Sequence, residues 1–460
     1  MNRVTSPRSA YLKEARGLVV LALPLAGANF GQMLLGAVDT AVVGRLGALE
    51  LGAAGLGNSV FFSVMVLGMG ILMGLDPLVS QAAGAGELRQ ARKMLWQGCW
   101  LATAISIPLG IGIWALTFRL GDFGIDAAAA AQTQGYVLAR LWGLFPFLLF
   151  VALRGYLQAV GRAVPVLWAA LVANVVNLPV SWALVFGDAG LEAAGLGRWG
   201  VPALGVAGAG YTSAFCSVLQ LGVLLLALRR TVVPAGDDSV RTPSLALLRR
   251  ATSLGAPVGF TLLAEVGIFA LTNIAMGNIS RLALAAHQVA LTLASGTFMI
   301  PLGIGAAASV RVGRAIGAGD SPGAQRAGVV AVAAGVGFMS LGALSFWIFP
   351  TELALVITDQ PGVVAAAVPL LLIAAVFQLS DGAQAVLAGV LRGAGDTRLP
   401  LLLNLAGHYL VGAPIGLSLA FIGGLGARGL WWGLSAGLTF VALTLAVRFY
   451  RLSQRGFVRA

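Results

Sequence analysis

The chain has 460 residues, of which 58% are hydrophobic and only 10% charged, and its formal net charge is +12. Its mean hydropathy is +0.91. A water-soluble chain of this length carries about a quarter charged residues, so an ordinary soluble globular protein is excluded. The basic residues are scattered over many short intervals rather than gathered in one patch, which argues against nucleic-acid binding.

Between those intervals lie apolar runs of about 20 residues, enough at 1.5 Å per residue to cross a ~30 Å hydrocarbon core. Twelve spans are predicted, near 17–42, 52–77, 95–117, 136–158, 165–187, 204–228, 253–277, 284–308, 327–349, 364–388, 400–421 and 429–449. The first apolar run is longer than a signal-peptide core and lacks a small-residue cleavage site. That span carries Pro24, Gln32 and Asp39, the last inside the run "AVDTAVVG". Asp76, near the end of the second span, is expected to snorkel toward the interface. The fifth span holds Asn177, Pro179 and Ser181, and the sixth Thr212 and Cys216. Cys99 and Cys216 both fall in spans and read as small core residues.

The positive-inside rule sets the orientation. With the N-terminus cytoplasmic, 23 of the 29 Lys and Arg residues lie at inner ends, loops or tails. Six lie outside: Arg45, Arg119, Arg140, Arg198, Arg281 and Arg428. Both termini are then cytoplasmic. The stretch "RRTVVPAGDDSVRTPSLALLRR", 229–250, becomes a cytoplasmic loop.

The chain repeats itself. "LPLAGANFGQ" at 23–32 aligns without a gap on "APVGFTLLAE" at 256–265, pairing Pro24 with Pro257, Gly44 with Gly277 and Gly70 with Gly303. "GRAVP" ending at Pro165 meets "GDTRLP" ending at Pro400 after a one-residue slip. Residues 1–230 and 249–460 therefore read as two lobes of six helices, joined by a loop at 231–248. An even number of spans per copy makes them parallel repeats about an axis along the membrane normal. The fold class expected is an all-α membrane protein, twelve transmembrane helices in two pseudo-symmetric bundles around a central cleft.

Three acids have apolar neighbours on both sides: Asp39, Glu265 and Asp381. A charge at mid-bilayer costs ~2.5–3.5 kcal/mol even on the mild insertion scale, so a compensating function is expected. By depth, Asp39, Asn177, Ser181 and Thr212 can meet at one level. Carboxylate, amide and hydroxyl oxygens make a shell for a hard cation such as Na⁺, or for a proton on the carboxylate. Catalytic patterns are decoys or absent. "GLSAG", 433–437, lies in the twelfth span with no strand before it. No Walker A sequence is present. His287, in "AAHQVAL", reads as a satisfied polar group rather than a proton relay.

The runs "LPLAGANFGQMLLGAVDTAVVGRLG", "LAAHQVALTLASGTFMIPLGIGAAASVRVGRAIGAGD" and "QLSDGAQAVLAGVLRGAGDTRLP" resemble the multidrug and toxic compound extrusion (MATE) transporters, in their NorM-like bacterial branch. The resemblance covers essentially the whole chain. It implies export of cationic amphipathic drugs against Na⁺ or H⁺ by alternating access, no enzymatic activity and no cofactor beyond the coupling ion. It places coupling acids at Glu265, Asp381 and Asp39, with Asn177 and Thr212 as polar neighbours. Ser181 stands where members often carry an amide or acid, and Phe377 where some carry tyrosine. Phe377, Gln288 and Gln32 are expected to line the substrate cleft, and Pro24 to bend the first helix. The expected setting is a monomer in the bacterial inner membrane, with cationic drugs and lipid as partners and no nucleic acid. Two rivals are a lipid-linked oligosaccharide flippase, which needs a cationic cleft, and a membrane-embedded enzyme, which needs a catalytic constellation.

Overall fold

The computed structural model describes residues 7–229 and 241–460, and the described residues are helical almost throughout. The helices are α1 (Pro7–Val43), α2 (Ala48–Met73), α3 (Leu75–Gly84), α4 (Leu88–Thr117), α5 (Ala127–Leu141), α6 (Leu144–Ala159), α7 (Val164–Ala193), α8 (Val206–Arg229), α9 (Leu245–Ile279), α10 (Arg281–Gly317), α11 (Ser321–Ile348), α12 (Pro350–Ile357), α13 (Pro361–Gly393), α14 (Arg398–Leu405), α15 (Ala413–Leu417) and α16 (Ala427–Arg455). Among the described residues, eleven helical stretches are long and apolar enough to cross a bilayer. The twelfth is the pair α5 and α6, bent by 47° at Trp142 and Gly143. Large apolar side chains line the outer faces, among them Ile107, Ile111 and Trp114 of α4 and Leu341, Leu344 and Trp347 of α11. Stripes of this kind would be costly in water and suit a lipid surround. This is a multi-pass membrane protein.

The residues group into two compact units, each discontinuous in sequence. Unit 1 takes the chain up to Gly27, then Asp76–Glu87 and Phe260–Ala460; unit 2 takes Ala28–Leu75 and Leu88–Gly259. The sequence halves 1–230 and 249–460 thus differ from the units by three exchanged stretches. The expected loop 231–248 falls in part, at 231–240, outside the described residues.

The exchanges have side-chain causes. In unit 1, Gln81 of α3 donates to the Gly393 carbonyl at 3.1 Å. Asp76 pairs with Arg392 at 3.3 Å, with both side chains largely buried. Asp76 was expected to snorkel; instead a guanidinium from α13 reaches it. Arg311 of α10 grips Glu14 of α1 with two nitrogens, Nη2 at 2.7 Å. Arg459 grips Glu87 in the same way, Nη1 at 2.8 Å, and Arg448 donates to Asp396 at 2.6 Å. In unit 2, Gln97 of α4 holds the chain entering α9, donating to Thr242 O and accepting from Ser244 N, both at 2.8 Å. A Cβ on Gly70 or Gly74 would collide with α9 backbone at Gly259 or Gly255, so small residues permit that approach.

The eleventh span, Arg398–Ile422, is not a uniform α-helix. Residues Ala406–Gly412 and Ser418–Ile422 are π-helical, on either side of α15. Its partner is α16. Gly429, Gly433 and Gly437 lie four residues apart on α16 and meet the backbone at Ala420, Gly416 and Gly407. The "GLSAG" pattern is therefore a helix-packing face. Its Ser435 is 3% exposed and donates to its own helix at Trp431 O.

Candidate functional site

Two carboxylate clusters lie within the spans, one in each unit. In unit 2, Asp39 sits four residues before the end of α1 and is 9% exposed. Asn177 Nδ2 of α7 donates to its Oδ1 at 2.9 Å. Ser213 Oγ of α8 donates to its Oδ2 at 2.6 Å. The predicted partner Thr212 is fully buried but turns away, donating to Gly208 O in its own helix at 2.9 Å. Such bonding to the carbonyl four residues back is the usual option for a helical threonine. Ser181 is buried one turn beyond Asn177, and neither its hydroxyl nor Asn177 Oδ1 has a hydrogen-bond partner. Asn177 Oδ1 and the Ser181 hydroxyl are thus partnerless neutral oxygens on the helix that supplies the amide donor to Asp39.

A second layer was missed from sequence. Tyr136 of α5 is buried. Tyr136 Oη accepts from Arg140 Nη1 at 2.7 Å, and the same nitrogen reaches Asn58 Oδ1 of α2 at 2.6 Å. The guanidinium lies over the Phe61 ring, 4.6 Å from its centroid. Arg140 had been placed at an outer helix end. It lies thirteen residues into α5, which begins at Ala127 behind an Asp126 cap, and sits half-buried in that helix's last turn, at the bend before α6. Asn58 is likewise ten residues into α2, roughly 15 Å along the helix.

In unit 1, Glu265 of α9 accepts at Oε1 from Gln384 Nε2 of α13 at 2.6 Å and from Asn404 Nδ2 of α14 at 2.8 Å. Asp381, 8% exposed, lies one turn before Gln384 and is close enough to interact electrostatically with Glu265. Tyr409 donates to Ala264 O at 2.8 Å, beside Glu265 in the chain. Among the described residues, no Lys or Arg lies within ion-pair distance of Asp39, Glu265 or Asp381.

Of the expected cleft residues, Phe377 lies in the core, Gln32 is half-buried and Gln288 is exposed. Phe377 is 2% exposed and packs edge-to-face on Trp431 in the unit 1 core, centroids 5.5 Å apart, so it offers no free ring face. Gln32 donates to Gln220 of α8 at 3.1 Å. Gln288 is exposed and donates to Asn273 at 2.7 Å. His287, expected to be satisfied, is fully buried; neither ring nitrogen has a hydrogen-bond partner, and its ring meets Trp431 at 5.7 Å between centroids. The helix α1 passes through Pro24 unbroken.

Comparison with known proteins agrees with this architecture. The model of the MatE family matches residues 24–183 and again 257–417. The two matches begin at Pro24 and Pro257, the prolines paired by the internal repeat. A probable multidrug resistance protein NorM of Deinococcus radiodurans is 38% identical, over 99% of this chain and 99% of its own. The multidrug resistance protein MdtK of Proteus mirabilis is 32% identical, over 97% of each chain. Among solved structures, a eukaryotic MATE transporter superposes with a TM-score of 0.83 at 23% identity, over 97% of this chain and 98% of that one. An outward-facing multidrug resistance MATE family transporter of the MOP superfamily gives 0.85 at 19% identity, over 96% and 97%. With a family match in both halves and relatives aligned end to end, the chain belongs to the MatE family.

Proposed function

We propose that this chain is a secondary-active multidrug efflux transporter, exporting cationic amphipathic compounds in exchange for Na⁺ or H⁺ by alternating access. Its relatives carry multidrug resistance names over their full lengths. The observation that carries the coupling is the Glu265–Asp381 pair. Asp381 is buried and Glu265 half-buried, and the hydrogen-bond donors at Glu265 are the neutral amides of Gln384 and Asn404. Two carboxylates so placed cannot both stay charged without a counter-ion, so a proton or a hard cation belongs there. Binding of that ion removes the negative charge that attracts a cationic drug and favours its release. The working setting is the bacterial inner membrane with both termini cytoplasmic, as the charge distribution favours.

The test is dye efflux from proteoliposomes with Na⁺ and pH gradients imposed separately. Wild-type protein is expected to export an ethidium-like dye under at least one gradient. Glu265→Gln and Asp381→Asn are expected to insert normally and lose at least tenfold in gradient-driven efflux. Normal efflux in both variants would remove the pair from the coupling mechanism.

A further inference from the structure

Asn404 of α14 is 1% exposed, and only half of its amide is used. Nδ2 donates to Glu265 Oε1 at 2.8 Å, while Oδ1 is buried with no hydrogen-bond partner among the described residues. A buried acceptor left without a donor is uncommon in folded proteins and calls for a reason. Unit 2 repeats the arrangement. Asn177 Nδ2 donates to Asp39 Oδ1 at 2.9 Å, and Asn177 Oδ1 is likewise buried and unpartnered. Each repeat thus joins an acid of its first span to an asparagine of its fifth and leaves the amide oxygen free. The positions are not equivalent. The pairing of Pro24 with Pro257 carries Asp39 onto Thr272, seven residues after Glu265. The pairing of Pro165 with Pro400 carries Asn177 onto Gly412, eight residues after Asn404. Acid and amide have moved together by about two helical turns, and the free oxygen has moved with them.

The backbone after Asn404 holds it in place. In an α-helix, Asn404 and Tyr409 would face directions roughly 140° apart. Ala406–Gly412 is π-helical, and bonding from i to i+5 turns residues five apart back toward one side. Both side chains accordingly reach successive residues of α9. Asn404 bonds Glu265, and Tyr409 Oη donates to Ala264 O at 2.8 Å. Gly267 makes the room, since a Cβ there would stand 2.6 Å from Tyr409 Oη. Wide turns of this kind occur frequently at functional sites.

We propose that Asn404 Oδ1 is a ligand for Na⁺ at Glu265, and that the π-helical turn pinned by Tyr409 keeps it within reach. The inference deepens the coupling reading above and rests on it. Hard cations gather several oxygens, carboxylate and amide carbonyl among them. A half-turn of the Asn404 amide exchanges Nδ2 for Oδ1. The group that donates to the bare carboxylate then presents an oxygen to an ion bound there. Gln384, whose amide touches Glu265 Oε1 at 2.6 Å, and Asp381, one turn before it on α13, bring further oxygens to the same neighbourhood. Asn404 is in this way a specificity-determining residue. A proton bonds to one oxygen of the acid itself, whereas Na⁺ needs the wider set.

The experiment uses purified full-length protein carrying Asp39→Asn, so that the unit 2 carboxylate is silent. Melting temperature is measured from about 1 to about 300 mM NaCl against choline chloride. This background is expected to show a Na⁺-specific rise of about 2–4 °C, which Glu265→Gln abolishes. Asn404→Leu, close in size but without either polar atom, should raise the Na⁺ concentration at half-effect at least tenfold. Asn404→Asp separates the two halves of the amide. Ionised, it offers oxygens and no donor, so it should keep the Na⁺ response; if the amide serves only to donate to Glu265, it should lose the response as Asn404→Leu does. Tyr409→Phe keeps the ring and should raise the half-effect concentration several-fold while leaving the rise at saturation unchanged. Should Asn404→Leu give no cooperative melt, Asn404→Ala is measured instead, with the same loss expected. The proposal is overturned by a background indifferent to Na⁺, by a rise that survives Glu265→Gln, by an undiminished response in the Leu or Ala variant, or by a lost one in Asn404→Asp; an unchanged half-effect in Tyr409→Phe overturns its second half. Wild-type dye efflux tests the transport reading separately: a chain that exports no dye yet shows the Asn404-dependent response loses that reading and keeps this site.

Discussion

At the scale of single residues, sequence reasoning found the anions and missed their donors. Asp39, Glu265 and Asp381 stood out because a carboxylate in an apolar run is conspicuous. Depth along the helix then selected Thr212 as a partner for Asp39, whereas the bond is made by Ser213. Successive helical residues point about 100° apart, and depth alone carries no information on that angle. Asn404 did offer a signal, as a lone amide in "PLLLNLAG", and Gln384 lies one turn from Asp381, yet neither could be matched to Glu265 without the fold. Ser213→Ala should therefore slow pH-driven dye efflux several-fold, while Thr212→Val should leave it near wild type. Equal loss in both would return Thr212 to the site. Asp39→Asn should abolish the pH-driven part of efflux with Na⁺ absent; fully pH-driven efflux would make Asp39 a packing residue. A separate prediction concerns Glu87, which the Arg459 hydrogen bonds hold below the usual carboxylate range. Its contribution to stability is present above the ordinary glutamate value of about 4.3 and fades as pH falls through the lower folded value. The difference in melting temperature between wild type and Arg459→Ala should accordingly shrink on moving from pH 7 to strongly acidic buffer.

At the scale of elements, eleven spans were legible as apolar runs, and the twelfth was legible only in part. The fourth span was read as 136–158 because "AAAAAQTQGY" contains Gln132, Thr133 and Gln134, which lower its hydropathy. The structure continues the helix back to Ala127 and ends it one residue after Arg140, at the bend before α6. The π-helical turns of the eleventh span had no sequence signal beyond Pro414, because side-chain periodicity hardly distinguishes an isolated wide turn. The glycine face of α16 was visible as a pattern but not as a contact. Gly433→Leu should prevent α16 from seating against Gly416, and size-exclusion should show aggregated protein. Gly337→Ala is the control: nothing lies within 4 Å of a Cβ there, so helix propensity should leave stability unchanged or raise it by up to ~1 kcal/mol.

At the scale of the whole molecule, the doubling of the chain was readable from an ungapped offset, and the two MatE matches fall on the same offset. Contact grouping was not readable, because it depends on polar pairs such as Asp76–Arg392 between residues far apart in sequence. Orientation has a direct measurement. With Cys99 and Cys216 replaced, a single cysteine at Ser239 should react with an impermeant thiol reagent only in opened cells. Labelling in intact spheroplasts would invert the topology.

The pairing of Asp76 with Arg392 also bears on how the chain is made. Synthesis runs at about 5–20 residues per second, and 392 − 76 = 316 residues separate the two partners. For roughly 15–60 s after Asp76 leaves the ribosome, its carboxylate has no guanidinium to meet, and Glu14 waits almost as long for Arg311. The first six spans are therefore made before the early stretches of unit 1 can meet their ion-pair partners. A half-chain ending at Arg229 should be inserted yet be cleared quickly by membrane proteases, and co-expression of the second half should restore it. Pulse-chase lifetimes would show this: a half-chain as long-lived alone as with its complement would mean that the late ion pairs are dispensable for maturation.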